Sequence, residues 1–223
     1  MDRFFDNNNP LMQFLTRVVD LAIVNLMTVI VMIPIVTTGP ALTAMNNVLI
    51  HMIRQDGLSP WKQYRKALKQ NMRQGIGLGL IFLGAGVIAA ADLFLLHAID
   101  SKASTVLMII ITVIGICAFV IGIYAFALFS RYENSIRGTL INAVRLAMGH
   151  IPRSLAMAAI WAVWAVFLWY IHGIALLVYV IYGLSLPAGA CALLYDPIFQ
   201  KMEDEMEEEL EEDPEADTED DQQ

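Results

Sequence analysis

The residue in this 223-residue chain best placed to do chemistry is Asp92, a carboxylate set inside the apolar run 75–97. Charge in hydrocarbon is costly, so an aspartate there is by default a proton or cation site. His97 follows five residues later and Asp100 eight, so the same carboxylate could instead reach water near its helix end. With Asn25 in an earlier apolar run, Asp92 and His97 form the candidate intramembrane polar site. His51, His97, His150 and His172 fall at helix ends on both sides, and Cys117 and Cys191 sit within apolar runs without ligand spacing. No metal site and no cofactor is therefore expected, and the cysteines read as packing residues. Without a nucleophile–base pair or metal constellation, no enzyme is expected either.

Glycine is the second signal. Gly75-Ile76-Gly77-Leu78-Gly79 looks like a dinucleotide loop, but no strand precedes it and it runs straight into an apolar helix. Gly75, Gly79 and Gly86 instead share one helical face with Ala90, and Gly115 and Gly122 share another with Ala118 and Ala125. Such stripes let helix backbones approach in a membrane, so they are expected to face each other or a neighbouring helix. Trp161, Trp164 and Trp169 read as lipid-facing bulk rather than a sugar-stacking platform. Around Pro187, with Gly183 and Gly189, the last apolar run is expected to break. Broken helices line transporter sites but also occur as simple kinks, and the kink is the expectation because no matching break marks an inverted half.

The elements that must hold these residues follow from composition. At 57% hydrophobic and 16% charged, a soluble fold would lack polar surface, whereas a bilayer needs apolar helices of about 20 residues. Runs 18–36, 75–97, 104–130, 154–172 and 173–195 qualify. The expected fold is an all-α polytopic transmembrane helix bundle of five spans, with interfacial amphipathic helices on the cytoplasmic side. A sixth span arises if 41–53 crosses; a re-entrant or interfacial helix is favoured there, because Gly39-Pro40 should break the preceding helix and Asn46-Asn47 would be costly facing lipid. The first run is too long for a signal h-region and lacks a small-x-small cleavage site. Three segments result: a polar start (1–17), the transmembrane domain (18–200) and an acidic tail (201–223).

Charge orients the bundle. Fourteen of the 22 acidic residues lie between Glu203 and Asp221, leaving eight acids against 14 Lys and Arg in the body, a net +6 there against −8 for the whole chain. Six of those basic residues crowd 51–74 and four occupy 131–153, while the intervening loops hold one or none. Cytoplasmic loops carry the excess of Lys and Arg, so the amino terminus is expected outside and the tail inside a bacterial plasma membrane. Trp61, Tyr64, Leu68 and Met72 recur at helical spacing among Lys62, Arg65, Lys66, Lys69 and Arg73, the pattern of a helix lying on anionic lipid headgroups. Segment 131–150 repeats it. Met202, Met206 and Leu210 extend the last helix by two turns, and disorder is expected beyond Asp213, a solvated end being the default and a tether onto the basic inner-face helices the alternative. No nucleic-acid partner is expected.

Several blocks carry a resemblance. The run 21–36, followed by Thr37-Thr38-Gly39-Pro40-Ala41-Leu42-Thr43-Ala44, then Lys69-Gln70-Asn71-Met72-Arg73-Gln74, Ser130-Arg131-Tyr132-Glu133-Asn134-Ser135, Asn142-Ala143 and Ile151-Pro152-Arg153-Ser154, resembles the YesL family of bacterial membrane proteins over roughly 10–196. Its most specific block comprises Pro34, Thr37, Gly39, Pro40 and Ala41. The family is largely a domain of unknown function associated with carbohydrate import and utilisation. The resemblance therefore implies an accessory role beside carbohydrate ABC transporter components, with no catalytic residue to carry over. The alternative is a small transporter or channel that uses Asp92 and the break around Pro187. The acidic tail lies outside the family core, and the oligomeric state is open.

Overall fold

A computed structural model describes residues 10–54, 59–99, 101–132 and 135–212. The polar start before Pro10 and the disorder expected beyond Asp213 lie outside these residues. Among them the regular elements are helical: α1 (Pro10–Val31), α2 (Thr38–Arg54), α3 (Pro60–Gln70), α4 (Met72–His97), α5 (Lys102–Arg131), α6 (Ile136–Gly149), α7 (Ile151–Tyr170), α8 (Ala175–Tyr182) and α9 (Ser185–Glu212). Four stretches are long and apolar enough to cross a bilayer, Met12–Val31, Met72–His97, Lys102–Arg131 and Ile151–Tyr170, and α8 with α9, bent by 46°, would make a fifth. Their outward faces are apolar: Ile88, Phe94, Val163 and Leu176 are all exposed. A water-soluble surface does not carry a belt of this kind, whereas hydrocarbon solvates it.

The first helix starts eight residues before the expected 18–36 run and stops sooner. Pro34 ends α1, because its ring cannot join the i→i−4 ladder. The chain turns through a 3₁₀ turn at Ile35–Thr37 instead. The Thr37 hydroxyl lies against the carbonyls of Val31, the last residue of α1, and of Pro34, which also accepts the Thr37 amide at 2.8 Å. Gly39-Pro40 does not break a helix. It sits in the first turn of α2, where the proline's missing N–H has no helical partner to lose.

The antiparallel hairpin of α4 and α5 frames the bundle, with Phe82 packed on Gly122 and its ring 5.6 Å from that of Phe126. Helix α2 crosses one end of this hairpin. Its start, Gly39, lies on Gly75 and Gly79 in the first two turns of α4, and its end, Arg54, shares an ion network with Arg131, the last residue of α5. The start of α4 and the end of α5 lie at one end of the hairpin, so both ends of α2 lie there too. Met45, Val48, Leu49 and Ile50 bury it against its neighbours.

Its asparagines face protein. Asn46 donates to the Leu42 carbonyl and accepts from the Tyr195 hydroxyl, while Asn47 donates to the Ser130 carbonyl and accepts from Gln63.

Helices α3 and α6 are docked on the bundle. In α3, Tyr64 and Ala67 are buried, so the face expected against headgroups is partly spent on protein, while Trp61 stays exposed beneath the Arg65 guanidinium, 5.5 Å from its ring centroid. Ser135 caps α6 by accepting from the Gly138 amide, and Thr139 and Ala143 are buried. Ile141, Val144 and Met148 of the same helix remain exposed.

The last run breaks before Pro187, not at it. Gly183 and Leu184 separate α8 from α9, and Pro187 lies in the first turn of α9, where it removes no helical bond. Helix α9 then continues past the 200/201 boundary to Glu212, with Pro197 in its interior.

Candidate functional site

A cleft of about 820 Å³ opens between α4 and α5. Leu42, Met45 and Asn46 of α2 form its floor, and Trp161, Leu184 and Ala188 contribute from α7, from the α8–α9 break and from α9. Gly79, Phe82, Gly86 and Ala89 line it along α4 up to Asp92. From Gly79 to Asp92 is thirteen helical steps, about 20 Å at the rise of 1.5 Å per residue. The polar side chains on its wall are Thr38, Asn46, Asp92 and the indole of Trp161. Asp92 is exposed and has no ion-pair or hydrogen-bond partner among the described residues.

The expected glycine stripe divides in two here. A Cβ on Gly79 would stand 2.6 Å from the Gly39 Cα, and one on Gly75 would stand 3.1 Å from the Pro40 Cα. At Gly122 it would meet the Phe82 ring at 3.2 Å. These three hold helices in close approach, and Gly75 and Gly79 do so against α2 rather than α5. Gly86 and Gly115 meet nothing within 4 Å. They do not pack helix on helix; their missing side chains widen the cleft.

No contact brings Asn25, Asp92 and His97 together. His97 is the last residue of α4, and five residues of helix turn it about 140° from Asp92. Asn25 is buried elsewhere, spanning the α8–α9 break. Its Nδ2 donates to the carbonyls of Tyr179 and Val180 at 3.0 and 2.8 Å, and its Oδ1 accepts from the amides of Leu184 and Ser185, both at 2.8 Å. An amide side chain has two donor hydrogens and two acceptor lone pairs, and all four are used. Trp164 donates to the Gly183 carbonyl at 2.9 Å, so a second side chain serves the same break. Trp161 packs edge-on to Phe119 at 5.3 Å, and Trp169 is exposed.

Where α2, α5 and α9 meet, an ion network closes the end of the bundle. Arg54 Nε donates to Asp196 at 2.8 Å and Nη1 to Glu203 at 2.6 Å; Arg131 Nε donates to Glu203 at 2.9 Å. The Tyr132 hydroxyl donates to the same carboxylate at 3.2 Å, and burial, reinforced by that negative charge, pushes its phenol up to about 12. Asp196 is buried and accepts a further bond from Gln200. Sequence reasoning missed this network. Glu203 reads as the first of fourteen tail acids, and only its helical register with Asp196, seven residues back, hints that both point at one partner. Among the described residues no three His, Cys, Asp or Glu are grouped to hold a metal ion.

Against known proteins, the match is short. The family described as "Protein of unknown function, DUF624" matches residues 21–93. That segment, about a third of the chain, is what the protein shares with the family, and it contains the α2–α4 crossing and Asp92. No curated protein and no solved structure matches.

Proposed function

We propose that the chain is a multi-pass protein of a bacterial plasma membrane, crossing it with α1, α4, α5, α7 and the bent α8–α9 pair, and that it serves as a non-enzymatic accessory component of carbohydrate uptake. Five spans rather than six are supported by α2, both of whose ends lie at one end of the α4–α5 hairpin. The amino terminus is outside and the acidic carboxyl terminus cytoplasmic. Lys62, Lys66, Lys69, Arg137 and Arg145 are exposed on α3 and α6, ready for anionic headgroups or a cytoplasmic partner.

The lining of the cleft carries the accessory reading. A sugar offers many hydroxyls that must each find a partner, whereas this wall presents four polar side chains, of which Asn46 is already bonded to Leu42 and Tyr195. The cleft also ends on α2, whose remaining length is buried, rather than continuing to the other face. The link to carbohydrate systems rests on the YesL resemblance, and the partners it suggests are ABC permease or nucleotide-binding subunits. Unpaired Asp92 favours the second reading, a small cation-coupled transporter. Co-purification from native membranes tests the first: stable recovery of transporter subunits supports it. Sugar flux in liposomes holding this protein alone, abolished by Asp92→Asn, would replace it with the second.

A further inference from the structure

We infer that the cleft holds one acyl chain of an aminophospholipid, whose ammonium pairs with Asp92. The inference rests on the bundle lying in a bilayer but not on the accessory role. An apolar cavity of about 820 Å³ open to hydrocarbon fills with whatever apolar group is at hand, and here that is lipid. Its shape selects a chain. It runs about 20 Å along α4, close to two thirds of a 30 Å hydrocarbon core. A helix, about 10–12 Å across, would have to part α4 from α5, which stay packed through Phe82, Gly122 and Phe126. The missing side chains of Gly86 and Gly115 leave the middle of the path open.

Charge selects the headgroup. Asp92 closes the far end of the path, and an unpartnered carboxylate at the edge of hydrocarbon is costly unless a cation meets it. A primary ammonium supplies that cation with three N–H donors. Phosphatidylglycerol offers the same chains without it, so the two lipids separate the contribution of the chain from that of the charge.

The experiment uses the full chain reconstituted in vesicles of equal phosphatidylethanolamine and phosphatidylglycerol, extracted in mild detergent and read by native mass spectrometry. The wild-type protein should retain one phospholipid, with phosphatidylethanolamine favoured about fivefold, the ratio that 1 kcal/mol of exposed ion pairing corresponds to. Gly115→Leu and, independently, Gly86→Leu should lose the retained lipid while melting in lipid-free detergent no lower than wild type, since a Cβ at either position meets nothing within 4 Å and leucine is the better helix former. Asp92→Asn should keep a lipid and lose the preference. Retention undiminished in both leucine variants would overturn the site, and a preference that survives Asp92→Asn would overturn the headgroup. A bound polypeptide in place of lipid would overturn the occupant. Failure to co-purify transporter subunits leaves each of these readouts unaffected.

Discussion

Asn25 of α1 accepts the amide hydrogen of Leu184 at 2.8 Å, so one side chain substitutes for the helical hydrogen bonds lost where the last span breaks. The same residue serves Tyr179, Val180 and Ser185, which ties α1 to both α8 and α9. Asn25→Leu has similar bulk but leaves two amides and two carbonyls without this partner inside the bundle. Each such group costs about 1–3 kcal/mol in principle, though single membrane hydrogen bonds measure nearer 1, so a loss of at least about 2 kcal/mol is expected. Asn25→Asp, protonated in this buried site, keeps the acceptors and one of the two donors, and its melting temperature in detergent should fall between the two. Equal melting of Asn25→Leu and wild type would show that the break needs no bridge.

The α2–α4 crossing predicts opposite outcomes for two glycines on the same helix. Gly79→Ala places a methyl 2.6 Å from the Gly39 Cα and should cost about 1–3 kcal/mol, the range for overpacking a tight contact. Gly86→Ala meets open space and gains up to about 1 kcal/mol of helix propensity. Thermal melts of the pair in one detergent read the difference, and matched values would mean that the helices do not approach at Gly79.

Glu203 divides the acidic tail into a bonded start and a remainder. Deleting 213–223, which lies outside the described residues, should leave the melting temperature within error. Glu203→Gln withdraws charge from Arg54 and Arg131 together. Because Glu203 keeps 23% of its side-chain exposure, the expected cost is about 1–2 kcal/mol, below the 3–5 of a fully buried pair. A deletion from 213 as damaging as Glu203→Gln would place stabilising contacts farther along the tail.

Orientation is read by impermeant thiol labelling of intact cells, with Cys117 and Cys191 first replaced by alanine. Cysteine at Ser101 should label from outside, and cysteine at Lys66 or Arg137 only after permeabilisation. External labelling at Lys66 would invert the bundle.

The apolar runs of this chain were legible without coordinates, because run length is a local property, and they return as four helices, with a fifth bent pair, long enough to cross a bilayer. The exact helix ends were less legible: the first run was read through to 36 but stops before Pro34, and the break expected around Pro187 lies at Gly183 and Leu184. Which face meets which helix was not legible. Gly79 and Gly86 are seven residues apart on one stripe, yet only Gly79 meets another backbone, because α2 passes across the first two turns of α4 and does not reach Gly86. Asn25 read as a polar site and became a structural bridge, since its partners lie about 155–160 positions away and only packing brings them together. Glu203 read as one more solvated acid until the ends of α2 and α5 converged on it. Sequence periodicity assigns a residue to a face of its own helix; the neighbour on that face is set by the mutual packing of all the helices, and no local pattern encodes it.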